Sequence, residues 1–224
     1  MQSANVESLG LSPPIVQGGT HDWKAFSIVE RAFAGMLLII VLPVLIAAAL
    51  IIAALSRRSP LVAHSRVGLG GKPIWVLKLR TMWIGDRRTG SIFVERLPIV
   101  TSAFRGPKTA DDPRVTSRFA AFCRRYSIDE LPQLWNVVQG DLALVAPRPL
   151  TRQELDTYYG ADAVLLLSRK PGLSGLWQIS GRSRLTYRQR RRLDLFMIRK
   201  WSVLLYFRIL ILTLPRVLAG KDAW

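Results

Sequence analysis

The hydrophobic pattern changes character several times along the chain. Up to about Lys24 it is polar, carries Pro13-Pro14 and Gly18-Gly19, and has no helical or strand period, so residues 1–24 are expected to be a disordered lead. Then comes MLLIIVLPVLIAAALIIAAL, residues 36–55, without a charged side chain. As a helix rising ~1.5 Å per residue this run reaches ~30 Å, about one hydrocarbon thickness, so residues 25–58 are expected to form a membrane helix. A cleaved signal peptide fits poorly, because the run begins well inside the chain and no small-residue cleavage pattern stands out against Arg57-Arg58.

Pro43 lies inside the run, removes one helical hydrogen bond and predicts a bend. Cations flank both ends, Lys24 and Arg31 before and Arg57, Arg58, Arg66 and Lys72 after. The positive-inside tendency then keeps both ends on the cytoplasmic face, which a re-entrant helix bent at Pro43 satisfies. On these residues alone a proline-kinked transmembrane pass is the alternative.

Beyond the membrane segment the period drops to two. LVAHSRV and PIWVLKLRTM flank GLGGK as a β-hairpin, with Ile74, Val76, Lys78 and Arg80 on one strand face and Trp75, Leu77 and Leu79 on the other. The glycines do not make a phosphate-binding Walker loop, because Pro73 takes the place of the Ser or Thr and a strand follows. Gly85 to Pro113 reads as a surface excursion with one short strand, SIFVERL, and a helix is expected over Ser117 to Tyr126. At the C-terminal end a basic helix turns into a nearly continuous apolar one. Residues 201–224 are read as interfacial helices, with a second transmembrane helix as the alternative. The fold class is therefore α+β and mainly helical: a re-entrant membrane helix, a small cytoplasmic domain over residues 59–200 with a short β-hairpin, and interfacial amphipathic helices.

Composition narrows the partners. Thirty-two Lys and Arg against 15 Asp and Glu give a net charge of +17, which calls for an anionic partner. Half the residues are apolar and seven are tryptophan, a balance that favours an anionic phospholipid membrane over nucleic acid. One cysteine, Cys123, and two separated histidines, His21 and His64, exclude an internal disulfide, a Cys/His zinc cluster and a His-based triad.

Against this basic background Asp129 and Glu130 stand side by side in RRYSIDELPQLWNVVQGD. Ser127 and Glu130 have the spacing of a capping box, and acids in a first turn are favoured by the helix dipole. With Ser127 as cap Pro132 falls one turn in, and with Asp129 as cap it falls inside the first turn. In either register the helix stops at Gly140. The company of Arg124, Arg125, Arg148, Lys78 and Arg80 supports a second role, since a carboxylate can attack phosphorus while its neighbour holds a metal ion against phosphate oxygens.

HSRVGLGGKPIWVLKLRTM, DDPRVTSRF, SIDELPQLWNVVQGDLALVAPRPL and KPGLSGLWQISGR, in this order, resemble the bacterial sugar transferase family, the monotopic phosphoglycosyl transferases, and among these the small ExoY-like exopolysaccharide enzymes. The resemblance covers residues 28 to 220. It implies that Asp129 is the nucleophile on the β-phosphate of a UDP-sugar, that Glu130 binds Mg²⁺, and that Lys78, Arg80, Arg124, Arg148 and Arg182 lie near substrate phosphates. It further implies undecaprenyl phosphate as acceptor, a galactose or glucose phosphate as the transferred group, and a monotopic place on the cytoplasmic face of the bacterial inner membrane. Three residues depart from the family pattern: Leu42 before Pro43 in place of a serine, Ala34 in place of an aspartate, and Ala146 in place of a glycine. The competing reading is a non-catalytic, membrane-anchored protein that binds anionic lipid or polymer.

Overall fold

The computed structural model describes residues 20–82, 94–97, 115, 117–181 and 184–220. Most of the N-terminal lead and of the Gly85–Pro113 excursion, together with Arg182, lies outside them.

A single helix, α1, runs Thr20–Ser56 over 37 residues and continues through Pro43. It begins before Lys24, so the last residues assigned to a disordered lead are its first turn. Its buried positions, Glu30, Ala34, Leu45, Ala48 and Ile52, recur at helical spacing and form one stripe. Most of the other large side chains, such as Ile39, Ile40, Val44, Leu50 and Leu55, are exposed. Among the described residues this is the one helix long and apolar enough to cross a membrane.

The hairpin forms as its alternation requires. β1 (Leu61–Val67) pairs antiparallel with β2 (Pro73–Leu79) in the register Leu61↔Leu79 to Val67↔Pro73, and β3 (Val94–Leu97) adds parallel to β1, giving the order β2-β1-β3. The turn uses Gly70 and Gly71 at φ of 64° and 80°, where a side chain would be strained. Helix α2 (Arg118–Arg125) starts on Ser117, whose hydroxyl accepts from the Phe119 N–H. A 3₁₀ turn at Ile128–Glu130 leads into α3 (Gln133–Gln139), which ends at Gly140 with φ 89°.

Strand β4 (Ala143–Val145) pairs parallel with β5 (Gly172–Ser174), with α4 (Arg152–Tyr158) and α5 (Ala163–Leu167) in the crossover. The two strands approach closely at Gly172, where a Cβ would lie 2.2 Å from the Ala146 backbone nitrogen. Then come α6 (Leu176–Ser180), α7 (Tyr187–Arg199) and α8 (Val203–Ala219).

Two apolar clusters lie along α1. Around Ala34 gather Val137, Leu142, Val145, Met197 and Ile209; around Leu45, Ala48 and Ile52 gather Leu79, Phe119, Ile128 and Leu131. A third cluster joins Leu155, Tyr159, Leu166 and Ile198 away from α1. Ala34 is fully buried in the first cluster, so the alanine at this departure from the family pattern fills a core position. Buried Glu30 ties three elements together: its Oε1 accepts from the Leu144 N–H at 2.8 Å and from the Tyr206 hydroxyl at 2.6 Å.

Candidate active site

The two acids do not sit in a helix cap. Ser127 has φ 55° and ψ 24°, its side chain makes no capping hydrogen bond, and α3 begins only after Pro132. The Ser127–Glu130 capping box expected from spacing is therefore absent, and so are both helix registers weighed for Pro132. The left-handed residue lies between α2 and the 3₁₀ turn that carries both acids. Asp129 is 8% exposed, whereas the Glu130 carboxylate is 23% exposed and faces cations.

Glu130 Oε1 accepts from Lys78 Nζ at 2.6 Å and from Arg148 Nη2 at 3.3 Å. Lys78 comes from β2, and Arg148 from the Pro147-Arg148-Pro149 segment after β4. Three separate segments thus converge on one oxygen. The Arg148 guanidinium loses basicity through burial, but Glu130, Glu154 and Asp129 outweigh this and hold it above its ordinary value, so it stays cationic.

A small, partly closed cleft adjoins this pair, lined by His64, Arg66, Val76, Lys78, Glu130, Gln133, Arg148, Pro149, Gly172 and Leu173. Of the basic residues expected from sequence, Lys78 and Arg148 reach it. Arg124 lies in the last turn of α2 and is half-buried, five positions before Asp129. Arg80 follows the last residue of β2, is 2% exposed and donates Nε to the Ser59 carbonyl at 2.8 Å, so the face shared with Lys78 stops at Leu79. The position of Arg182 lies outside the described residues.

Sequence reasoning missed four contributors. His64 and Arg66 lie on the cleft side of β1 and are paired in register with Val76 and Ile74 of the Lys78 face. The period-two alternation of LVAHSRV, carried across the hairpin, would have found them. Asn136 is 2% exposed; its Oδ1 accepts from Leu77 N–H at 3.0 Å and its Nδ2 donates to the Trp75 carbonyl at 2.8 Å. Its amide thus bonds to the open edge of β2 as another strand would, and nothing local marks it. The fourth is Trp177, 7% exposed, with the guanidinium carbons of Arg190 and Arg148 at 4.6 and 5.7 Å from its ring.

Around that tryptophan the site is backed by further packing. Arg190 also lies 5.2 Å from the Tyr187 ring, and Tyr187 stacks on Tyr158 at 3.9 Å. Arg191 pairs with Asp162, while Arg188 and Arg192 are exposed. The basic run of α7 is thus divided between the protein's own rings and carboxylates and the solvent side.

Mg²⁺ takes oxygen ligands and is commonly bound by one or two carboxylates plus substrate phosphates. Among the described residues no group of three or more His, Cys, Asp or Glu gathers into a cage. Glu130 is the acid that opens on the cleft, so a Mg²⁺ ion there would need its remaining ligands from a diphosphate and water rather than from a preformed protein cage.

Comparison with known proteins gives a consistent set. The family model for bacterial sugar transferases matches residues 23–220. The chain is similar to the UDP-galactose-lipid carrier transferase of Erwinia amylovora, 37% identical over 167 residues, 74% of this chain and 35% of that protein. It is similar to the exopolysaccharide production protein ExoY of Sinorhizobium fredii, 38% identical over 162 residues, 72% of this chain and 71% of that one. A third relative is the UDP-glucose:undecaprenyl-phosphate glucose-1-phosphate transferase of Caulobacter vibrioides, 38% identical over 205 residues, 88% of this chain and 71% of the relative. The match thus spans about a third of the Erwinia protein and most of the other two.

Proposed function

The chain belongs to the bacterial sugar transferase family, and from that premise we propose that it transfers hexose 1-phosphate, glucose or galactose, from a UDP-sugar to undecaprenyl phosphate. The observation that carries this reading is the Glu130 carboxylate held between Lys78 and Arg148 at a cleft, one residue after a buried Asp129 and in a domain packed along an apolar helix. Relatives whose names state transfer of this kind, to a lipid carrier or to undecaprenyl phosphate, support the substrate class.

In the first step Asp129 Oδ attacks the β-phosphorus, the bridging P–O bond breaks, and the electron pair leaves on UMP. In the second an oxygen of undecaprenyl phosphate attacks the same phosphorus and the Asp129 carboxylate is released. Burial withdraws Asp129 from bulk water, which favours transfer to the lipid phosphate over hydrolysis. Lys78 and Arg148 orient Glu130 and bring positive charge to the diphosphate. When bound on Glu130, Mg²⁺ would supply charge neutralisation to the phosphate oxygens. Arg124, Arg80 and Arg182 are assigned here to the basic surroundings of the phosphates, with Arg80 acting through the backbone it holds.

The lipid acceptor fixes where this must happen. We place α1 in one leaflet of the inner membrane, both ends cytoplasmic, with Pro43 at its deepest point. Two features support that placement: cations at both flanks, and a domain that contacts α1 from Phe26 to Ile52 rather than at one end. The exposed Leu204, Phe207, Ile211, Leu214 and Leu218 of α8 form a stripe suited to the same interface.

The test is incubation with UDP-glucose or UDP-galactose and Mg²⁺ without acceptor. Wild type should release about one UMP per active site, since the covalent step needs no lipid. Asp129→Asn should lower that release by at least ~10³-fold. An Asp129→Asn protein with normal turnover would refute the nucleophile assignment, and a wild type silent with every UDP-sugar would favour the non-catalytic lipid-binding alternative.

A further inference from the structure

We propose that Arg66, together with Arg148, forms a single phosphate site used twice in each cycle, first by the phosphate of departing UMP and then by the phosphate of the lipid acceptor. The inference rests on the phosphotransfer reading above and adds to it a residue and a shared locus.

The cleft supplies the geometry. Arg66 projects from β1 on the same side as His64, and both line the cleft with Lys78, Glu130 and Arg148. One edge of its guanidinium is fixed, because Nη1 donates to the Ser65 carbonyl at 2.8 Å. Lys78 and Arg148 both contact Glu130, but among the described residues no carboxylate lies within ion-pair distance of Arg66. Burial and the nearby Arg148 lower the basicity of Arg66, with partial relief from Glu154 and Glu130. Two guanidiniums near each other in a partly closed cleft repel unless an anion lies between them, and a phosphate matches their planar forks.

Both arginines line the cleft that Glu130 also lines, one residue after the nucleophile in sequence. In-line displacement puts the leaving oxygen of UMP opposite the attacking Asp129 oxygen. The second displacement reverses the roles at the same phosphorus, so the attacking lipid phosphate oxygen must also arrive opposite Asp129. One locus thus receives both phosphates in turn, and the cleft lined by Arg66 and Arg148 is where we place it.

The experiment uses the full chain in detergent micelles with whichever of UDP-glucose and UDP-galactose the wild type turns over. Two constants are read: the half-saturating labelled UMP in its exchange into UDP-sugar, and the half-saturating undecaprenyl phosphate in discharge of the preformed intermediate. Arg66→Gln should raise both by about tenfold or more, the effect of losing a charge-assisted contact, and by similar factors. Arg66→Lys should fall between Gln and wild type, and it carries the same comparison if Arg66→Gln melts early. Arg192→Gln, an exposed cation on α7, should change neither and so controls for general attraction to the micelle surface. A rise for UMP alone, or for the lipid alone, overturns the shared site; no change in either overturns the role of Arg66 while wild-type UMP release leaves the parent reading intact. A wild type that releases no UMP overturns both.

Discussion

At Ser127 the backbone enters the left-handed region, just before two acids whose environments differ. Asp129 turns inward beside Cys123, whose thiol is pushed up to about 11 by burial and then by the Asp129 charge. Glu130 turns toward the cleft. A second buried acid, Asp194, lies outside the reaction centre and has a distinct consequence. It is 2% exposed, its Oδ2 accepts from the Tyr159 hydroxyl at 2.6 Å, and its Oδ1 has no hydrogen-bond partner. Burial raises its pKa from 3.8 to about 7, against the opposing effects of the Tyr159 hydroxyl and Arg190. A carboxyl that binds its proton more tightly in the folded state stabilises the fold below its unfolded pKa and loses that contribution as pH rises to about 7. Asp194→Asn keeps the acceptor for Tyr159 and removes the ionisation. Thermal melts should show the variant more stable than wild type at pH 8, by about 2–4 °C per kcal/mol, with the gap narrowing as pH falls to 5. A gap independent of pH would contradict the assignment.

Among the elements, the contact between β2 and α3 decides whether Lys78 meets Glu130. Asn136 makes it by offering the edge strand an acceptor and a donor in strand-like register. Asn136→Ala would leave the Leu77 N–H and Trp75 carbonyl without these partners, and a chemical-denaturation measurement should show a loss of about 1–3 kcal/mol. UMP release should fall as well, because the Lys78 and Glu130 supports separate; unchanged stability and activity would show that packing alone aligns the two elements. The stop of α3 at Gly140 and the hairpin were legible in sequence, since each is encoded within a few residues by period and glycine, whereas the start of α3 was not. The amide contact was not legible. An asparagine inside a helix has no local pattern that distinguishes a solvent-facing side chain from one that bonds to a distant strand.

Over the whole molecule, α1 serves both as core and as membrane element. Its buried stripe from Glu30 to Ile52 meets two clusters of the domain, while its remaining surface is apolar and exposed. Cysteines placed at Ala25 and Ser59 test the placement in one leaflet. The native Cys123 is fully buried with a raised pKa and should stay silent to a membrane-impermeant maleimide at pH 7. In inside-out vesicles both new cysteines should label, and in right-side-out vesicles neither should. Labelling of one position in each preparation would make α1 a transmembrane pass.

The sequence by itself determined the apolar length of α1, the cationic flanks, the strand alternation that set Lys78 among apolar neighbours, the position of the adjacent acids, and the motif order that marks the family. Tertiary structure decided which of the many cations meet Glu130, that Arg66 shares their cleft while Arg80 is tied to Ser59, and that a 3₁₀ turn replaces the expected cap. The division has a physical cause. Periods, caps and charge runs act over a few residues, whereas Lys78 and Glu130 are 52 positions apart and Glu30 and Leu144 are 114 apart. Contacts of that range form only when burial of the whole core fixes the path of the chain.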